Sequence, residues 1–119
     1  MRELVKVFKA IADKNRIRIL KMLQHKKMCV CELAAVLGIT QPSVSRHLSL
    51  MKDAGLVKDE RNGPWVDYGL CEENINHYVP VLQLHLSEWI NNDNQVKEDL
   101  KKVKYLKREE LCGKNWKIH

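Results

Sequence analysis

Cys29 and Cys31 stand one residue apart in the segment Met28-Cys29-Val30-Cys31-Glu32-Leu33. Thiolates are soft ligands that select thiophilic ions over hard, oxygen-seeking ones, so the pair is a candidate chelate. On an α-helix two residues subtend about 200°, which points the two sulfurs to nearly opposite faces. Chelation by both therefore requires residues 29–31 to leave helical geometry and to strain the helix that starts there. Lys26 and Lys27 are expected to lower the thiol pKa, which adds thiol oxidation as a second switching chemistry. Small buried cysteines also pack cores without any ligand. A third sulfur can come from Cys71 or Cys112, within a protomer or across a dimer, and Cys112 in the charged tail is the preferred candidate.

The elements around the pair follow from apolar spacing. Leu4, Val7, Phe8 and Ile11 recur as on a helix, with Val5 and Ala12 widening the stripe. Asp13 suits the N-cap of a second helix carrying Ile17, Leu20 and Leu23. After the polar break His25-Lys26-Lys27, a third helix begins near Cys31, runs through Leu33, Ala34 and Leu37, and ends at Gly38. Thr40 caps a fourth, with Pro42 in its first turn, Val44, Leu48 and Met51 on one face, and a stop at Gly55.

Strand-like runs at 56–60 and 65–70 flank the turn Arg61-Asn62-Gly63-Pro64. Residues 75–91 are helical in spacing, through Ile75, Val79, Leu82, Leu86, Trp89 and Ile90, with Pro80 starting or kinking the helix. Asn91 to Asn94 is a break, and 95–111 is a last charged helix on a thin seam of Val96, Leu100, Val103 and Leu111. A helix pair with a tight turn, then a hairpin, is the plan of a winged helix-turn-helix. The fold class expected is mainly α with one β-hairpin.

If Val44, Leu48 and Met51 face inward, the fourth helix presents Gln41, Ser43, Ser45, Arg46, His47, Ser49 and Lys52 outward. Gln pairs bidentately with adenine and Arg with guanine, and serines reach bases or phosphates. A solvated face would carry similar residues, but here it sits within a complete helix-turn-helix plus hairpin. Lys58 and Arg61 would act at the hairpin as a wing.

Composition sets the remaining bounds. The 119 residues are 45% hydrophobic and 30% charged, which fits one small domain with its own core. A net charge of +6 favours a polyanionic partner. No apolar run reaches the roughly 20 residues that span a bilayer, and no signal-peptide stretch is present, so no membrane partner and a cytoplasmic location are expected. Four cysteines are too few and too uneven for a secreted disulfide framework. No nucleophile, histidine and carboxylate constellation is visible, His25 being the one histidine near the pair, so the chain does not read as an enzyme.

With these elements in place, the chain resembles the ArsR/SmtB family of metal-responsive repressors, and within it the arsenical resistance operon repressors. The resemblance is carried by Asp13-Lys14-Asn15-Arg16-Ile17-Arg18-Ile19-Leu20, by Cys29-Val30-Cys31-Glu32-Leu33, and by Thr40-Gln41-Pro42-Ser43-Val44-Ser45-Arg46-His47-Leu48. Ala54-Gly55-Leu56-Val57 and Gly63-Pro64-Trp65-Val66-Asp67-Tyr68 continue it. It implies a homodimer built on the first and last helices, held on double-stranded operator DNA until As(III) or Sb(III) binds the thiols of Cys29 and Cys31. The metalloid is then an inducer and not a permanent cofactor.

Residues 1–92 are expected to form the winged helix-turn-helix DNA-binding and dimerisation domain, with 93–119 as a charged C-terminal helix and tail. The family's third thiol position is Ala34 here, so arsenic recognition either uses two protein thiols or borrows Cys112 or Cys71, and Cd(II), Pb(II), Zn(II) or thiol oxidation stands as the alternative signal. A second family site, on the helix after the hairpin, maps to Glu72, Asn74, His85 and Glu88. Asn74 replaces a ligand there, and His85 and Glu88 read as surface or interface residues. Pro64 occupies a wing position where a basic residue is frequent.

Overall fold

Asp13 divides the first two helices. In the computed structural model, which describes residues 1–73 and 76–111, α1 (Arg2–Ile11) ends just before it and α2 (Lys14–Leu23) starts just after it. Its extended backbone lets the carboxylate accept the Arg16 N–H at 3.1 Å, satisfying a donor that a helix start leaves free. α3 (Val30–Leu37) closes at Gly38, whose φ of 70° is the left-handed conformation that glycine takes without a Cβ penalty. α4 (Gln41–Asp53) follows with Thr40 as its cap and Pro42 in its first turn.

The core lies between these helices. Ile19, Leu20 and Met22 of α2, Leu33 of α3, and Val44, Leu48 and Met51 of α4 are buried against one another and against Leu56. β1 (Val57–Asn62) and β2 (Trp65–Leu70) form an antiparallel hairpin in which Asn62 faces Trp65, so the turn narrows to Gly63-Pro64. Met28 adds a single bridge on the other edge of β2, exchanging hydrogen bonds of 3.0 and 2.8 Å with Tyr68. That bridge fixes the start of α3 against the hairpin. The architecture is a winged helix-turn-helix.

The C-terminal third departs from the periodicity. Instead of one helix over 75–91, α5 spans Val79–Glu88, with Pro80 in the first turn where its missing N–H leaves no bond unmade. Ile75 lies outside the described residues. The helix expected over 95–111 breaks in two, α6 (Asn94–Lys104) and α7 (Arg108–Leu111). The chain turns after Tyr105, which lets Leu106 pack against the core and aims Arg108 back at the hairpin.

Two polar ties that the apolar pattern could not reveal fasten these elements to α2. Lys21, only 1% exposed, donates from Nζ to Leu86 O at 2.8 Å, Trp89 O at 3.0 Å and Asn91 Oδ1 at 2.7 Å. All three ammonium protons are used at the α5 C-terminus, where the helix dipole favours a cation. Burial lowers the Lys21 pKa. Arg18 holds Asp99 of α6 with a two-point fork at 2.8 and 2.9 Å. Among the described residues, no helix is long and apolar enough to cross a membrane.

The Asp13 cap makes a measurable contribution. Burial pushes its carboxyl up, but the Arg16 N–H and the charges of Arg16 and His47 together outweigh that and leave it lowered. The lowered folded-state value means that the ionic part is fully present above the unfolded aspartate pKa of about 3.9 and is lost as pH falls through the lowered one. Asp13→Ala should cost about 1 kcal/mol in urea unfolding at neutral pH, and the gap to the native chain should close progressively below about pH 3.9.

Candidate nucleic-acid interface and thiol pair

The outward face of α4 carries most of the residues singled out for DNA. Gln41, Ser45, Arg46, Ser49 and Lys52 are exposed. Ser43 is half-buried within the cap: its N–H and its Oγ bond Thr40 Oγ1 at 3.3 and 2.9 Å, and Arg46 Nη2 donates to its Oγ at 3.2 Å. His47 is also half-buried, and its Nδ1 accepts from Arg16 Nη1 at 3.1 Å. Arg16 is in turn fixed to Ala10 O and Lys9 O, so this side of His47 is tied to the α1–α2 corner. Lys52 is paired with Asp59 of β1 at 3.0 Å, a counter-charge that the helix pattern did not disclose. Arg61 is exposed at the hairpin tip, where Nη1 reaches Gly63 O at 3.5 Å. Lys58 is half-buried on β1.

Cys29 is the N-cap of α3, and its backbone is extended (φ −90°, ψ 169°). Residue 29 is therefore already outside helical geometry, and the opposed-face argument made for a continuous helix does not apply to the pair. The cap is reciprocal. The Cys29 sulfur faces the Glu32 backbone N–H, and Glu32 Oε1 accepts the Cys29 N–H at 3.0 Å. This is the capping-box arrangement with a thiol where a hydroxyl usually stands. Cys31, inside the first turn, is half-buried.

Glu32 is 2% exposed and governs the charge around the thiol. Lys26 Nζ lies 3.6 Å from Oε2, and Arg108 Nη2 lies 3.3 Å from Oε1. Lys27 pairs instead with Glu60 at 3.0 Å. The expected activation by Lys26 and Lys27 is corrected for Cys29, since both ammonium groups are engaged by carboxylates. Burial pushes the Cys29 thiol up, with the Glu32 carboxylate adding to it, against the opposing pull of the Glu32 N–H and Arg108.

Cys71 is buried after β2 and its thiol faces Glu73 O at 3.7 Å. Among the described residues no group of three or more His, Cys, Asp or Glu is arranged to hold a metal ion. Cys112 and Asn74 lie outside the described residues. His85 is exposed and stacks on Trp89 with ring centroids 5.4 Å apart. Apolar side chains stand exposed on α1 (Val5 and Phe8, the latter 57%) and on α5 (Val81 and Leu84, the latter 62%).

The profile of the bacterial regulatory protein arsR family matches residues 13–59. The arsenical resistance operon repressor of Bacillus subtilis is 38% identical over 77 residues, covering 64% of this chain and 73% of that protein. This chain belongs to the ArsR family. An arsenic resistance transcriptional regulator of Pseudomonas putida is 43% identical over 68 residues, covering 56% of this chain. The ArsR-family chain spans only about half of that relative, 53% of its length.

Among solved structures, a homodimeric winged helix-turn-helix DNA-binding domain from Mycobacterium bovis is similar with a TM-score of 0.61. Identity is 25%, over 78% of this chain and 86% of that one. A cadmium sensor from Mycobacterium tuberculosis is similar at 33% identity and a TM-score of 0.57, over 73% of this chain and 83% of that one. The family is one of transcriptional regulators rather than enzymes.

The unequal settings of the two thiols of this ArsR-family chain have a direct readout. At neutral pH, iodoacetamide followed by peptide mapping should label Cys31 at least about tenfold faster than Cys29, because the thiolate is the reactive form and Cys29 is buried and raised. Equal rates would mean that the cap opens freely.

Proposed function

We propose that this chain is a transcriptional repressor that binds operator DNA as a homodimer and is released when As(III) or Sb(III) binds Cys29 and Cys31. The observation that carries the reading is that the Cys29 sulfur both caps α3 and is a soft donor. A metalloid bonded to both sulfurs replaces their two protons, which pass to water, and draws the sulfurs of residues 29 and 31 to one centre, pulling the Cys29 side chain from its place over the Glu32 N–H. Ligation therefore competes with the cap, and an N-cap is worth about 1 kcal/mol at the start of a helix. α3 is the first helix of the DNA-reading unit, so its loosening biases the position of α4.

In this reading Gln41, Ser43, Ser45, Arg46 and His47 face the major groove, with Lys52 and Arg61 on the backbone. Lys52 exchanges Asp59 for phosphate on binding. Residues 1–92 form the DNA-binding and dimerisation unit, and the exposed apolar faces of α1 and α5 supply the second copy's contact. Cys112, from the 93–119 segment, completes a three-sulfur site in place of Ala34. A Cd(II), Pb(II) or Zn(II) sensor of the same fold is the competing reading, favoured by the absence of a thiol at Ala34 and by the likeness to a cadmium sensor.

The test starts from duplexes selected out of random sequence by the metalloid-free protein. Arsenite should weaken binding of the native chain by roughly 5–150-fold at fixed salt and leave a Cys29→Ser, Cys31→Ser variant unaffected. Equal release of both proteins would overturn the thiol assignment, and release of the native chain by cadmium alone would select the competing reading. On the same duplex, Arg46→Ala should cost about 1–3 kcal/mol and relax preference at one base pair. Arg61→Ala should instead lower the slope of log K against log salt by about 0.9.

A further inference from the structure

Arg108 lies far outside residues 13–59, which carry the family match, yet it is the most connected cation near the thiol pair. Its Nη2 sits 3.3 Å from Glu32 Oε1 and donates to Asp67 Oδ1 at 2.8 Å. Glu32 Oε1 is the same oxygen that accepts the Cys29 N–H. On the other side, Asp67 Oδ2 accepts Asn62 Nδ2 at 3.0 Å. The guanidinium also lies over the Trp65 ring, 4.8 Å from its centroid. Asn62 and Trp65 are the last facing pair before the hairpin turn. The contacts thus run without a gap from the backbone of Cys29, through Glu32, Arg108 and Asp67, to the wing tip.

We propose that Arg108 is a positioning residue that couples the cap of α3 to the wing, so that a change at Cys29 is transmitted to the hairpin turn as well as to α4. The physical basis is the sharing of one guanidinium nitrogen by two buried carboxylates. A buried carboxylate that loses its cation is left uncompensated, so Glu32 and Asp67 compete for Arg108. When the cap is intact, the Cys29 N–H fixes Oε1 and both carboxylates are reached at once. When the sulfur leaves the Glu32 N–H, the carboxylate is no longer held by a reciprocal cap and shifts, and Arg108 follows it or Asp67. Either movement changes what Asp67 offers to Asn62. The wing is therefore loosened in the same event that uncaps α3.

The final step, from thiol ligation to DNA release, rests on the function proposed above. The coupling itself does not, and the experiment separates the two. In its first arm, amide hydrogen exchange at the hairpin turn is measured without any ligand for the native chain, Glu32→Gln, Arg108→Gln and the double variant. Glu32→Gln should speed exchange at Asn62 and Trp65 roughly tenfold with Arg108 present and less than about twofold without it. Amides of Leu20 and Leu48 report that the core stays folded. Independent effects of the two substitutions would overturn the proposal.

The second arm uses arsenite. Asn62→Ala cuts only the exposed end of the path and should keep native arsenite uptake while reducing DNA release by about threefold or more. Arg108→Gln should behave likewise, and Arg108→Lys should restore part of the release. Native release from both Asn62→Ala and Arg108→Gln would overturn the proposal. A native chain that takes up no arsenite refutes the functional reading, and the exchange arm then decides the role of Arg108 alone.

Discussion

A carboxylate without solvent, Glu32, sets the conditions that much of this structure meets. An ionised group at 2% exposure must be surrounded by donors, and the chain supplies them from three directions. The Cys29 N–H comes from the same helix, Lys26 from the loop before it, and Arg108 from the far end of the described chain. Satisfying Glu32 therefore fixes where α3 begins, how the loop from α2 approaches, and why the C-terminal segment folds back instead of continuing as a helix. The thiol pair inherits its surroundings from that arrangement. Its electrostatics are those of a site built to neutralise a neighbouring acid, which explains why nearby lysines do not activate Cys29.

The same logic recurs at the other buried charges. Lys21 closes the end of α5 and Arg18 closes on Asp99 of α6, so α5 and α6 are each fixed to α2 through polar ties set in an apolar helix face. Buried ions of this kind add little net stability, but removing one partner leaves the other uncompensated. Their contribution is geometric. They select one docking of α5 and α6 among the several that apolar contact alone would permit.

How much of this was legible in the sequence depends on range. Local signals were faithful: Asp13 and Thr40 cap, Gly38 terminates, and Val44, Leu48 and Met51 face inward, because each is decided within one turn of chain. The fold class and family followed from those signals and from the thiol pair beside them. What escaped was non-local. Nothing in the spacing around Lys21 marks it as interior, and nothing near Lys26 and Lys27 shows that Glu32 and Glu60 will engage them. The break after Tyr105 is equally invisible, since the periodicity over 95–111 is that of a helix and the turn serves contacts distant in sequence, Leu106 against the core and Arg108 on its carboxylates. Cys29 as a cap was readable in principle from the Cys-x-x-Glu spacing, which mimics a capping box once sulfur is admitted as an acceptor.

The long reach of the Arg18–Asp99 tie has a further consequence, for biosynthesis. The two residues are 81 positions apart, and Arg108 is 41 beyond Asp67. At about 5–20 residues per second, Arg18 leaves the peptidyl-transfer centre roughly 4–16 s before its partner is made. By the end of that interval α1 to α4 and the hairpin have all been synthesised, while the guanidinium that will cover Glu32 has not. The buried Glu32 carboxylate is thus made well before the Arg108 cation that compensates it, and that compensation waits for the segment beyond α6.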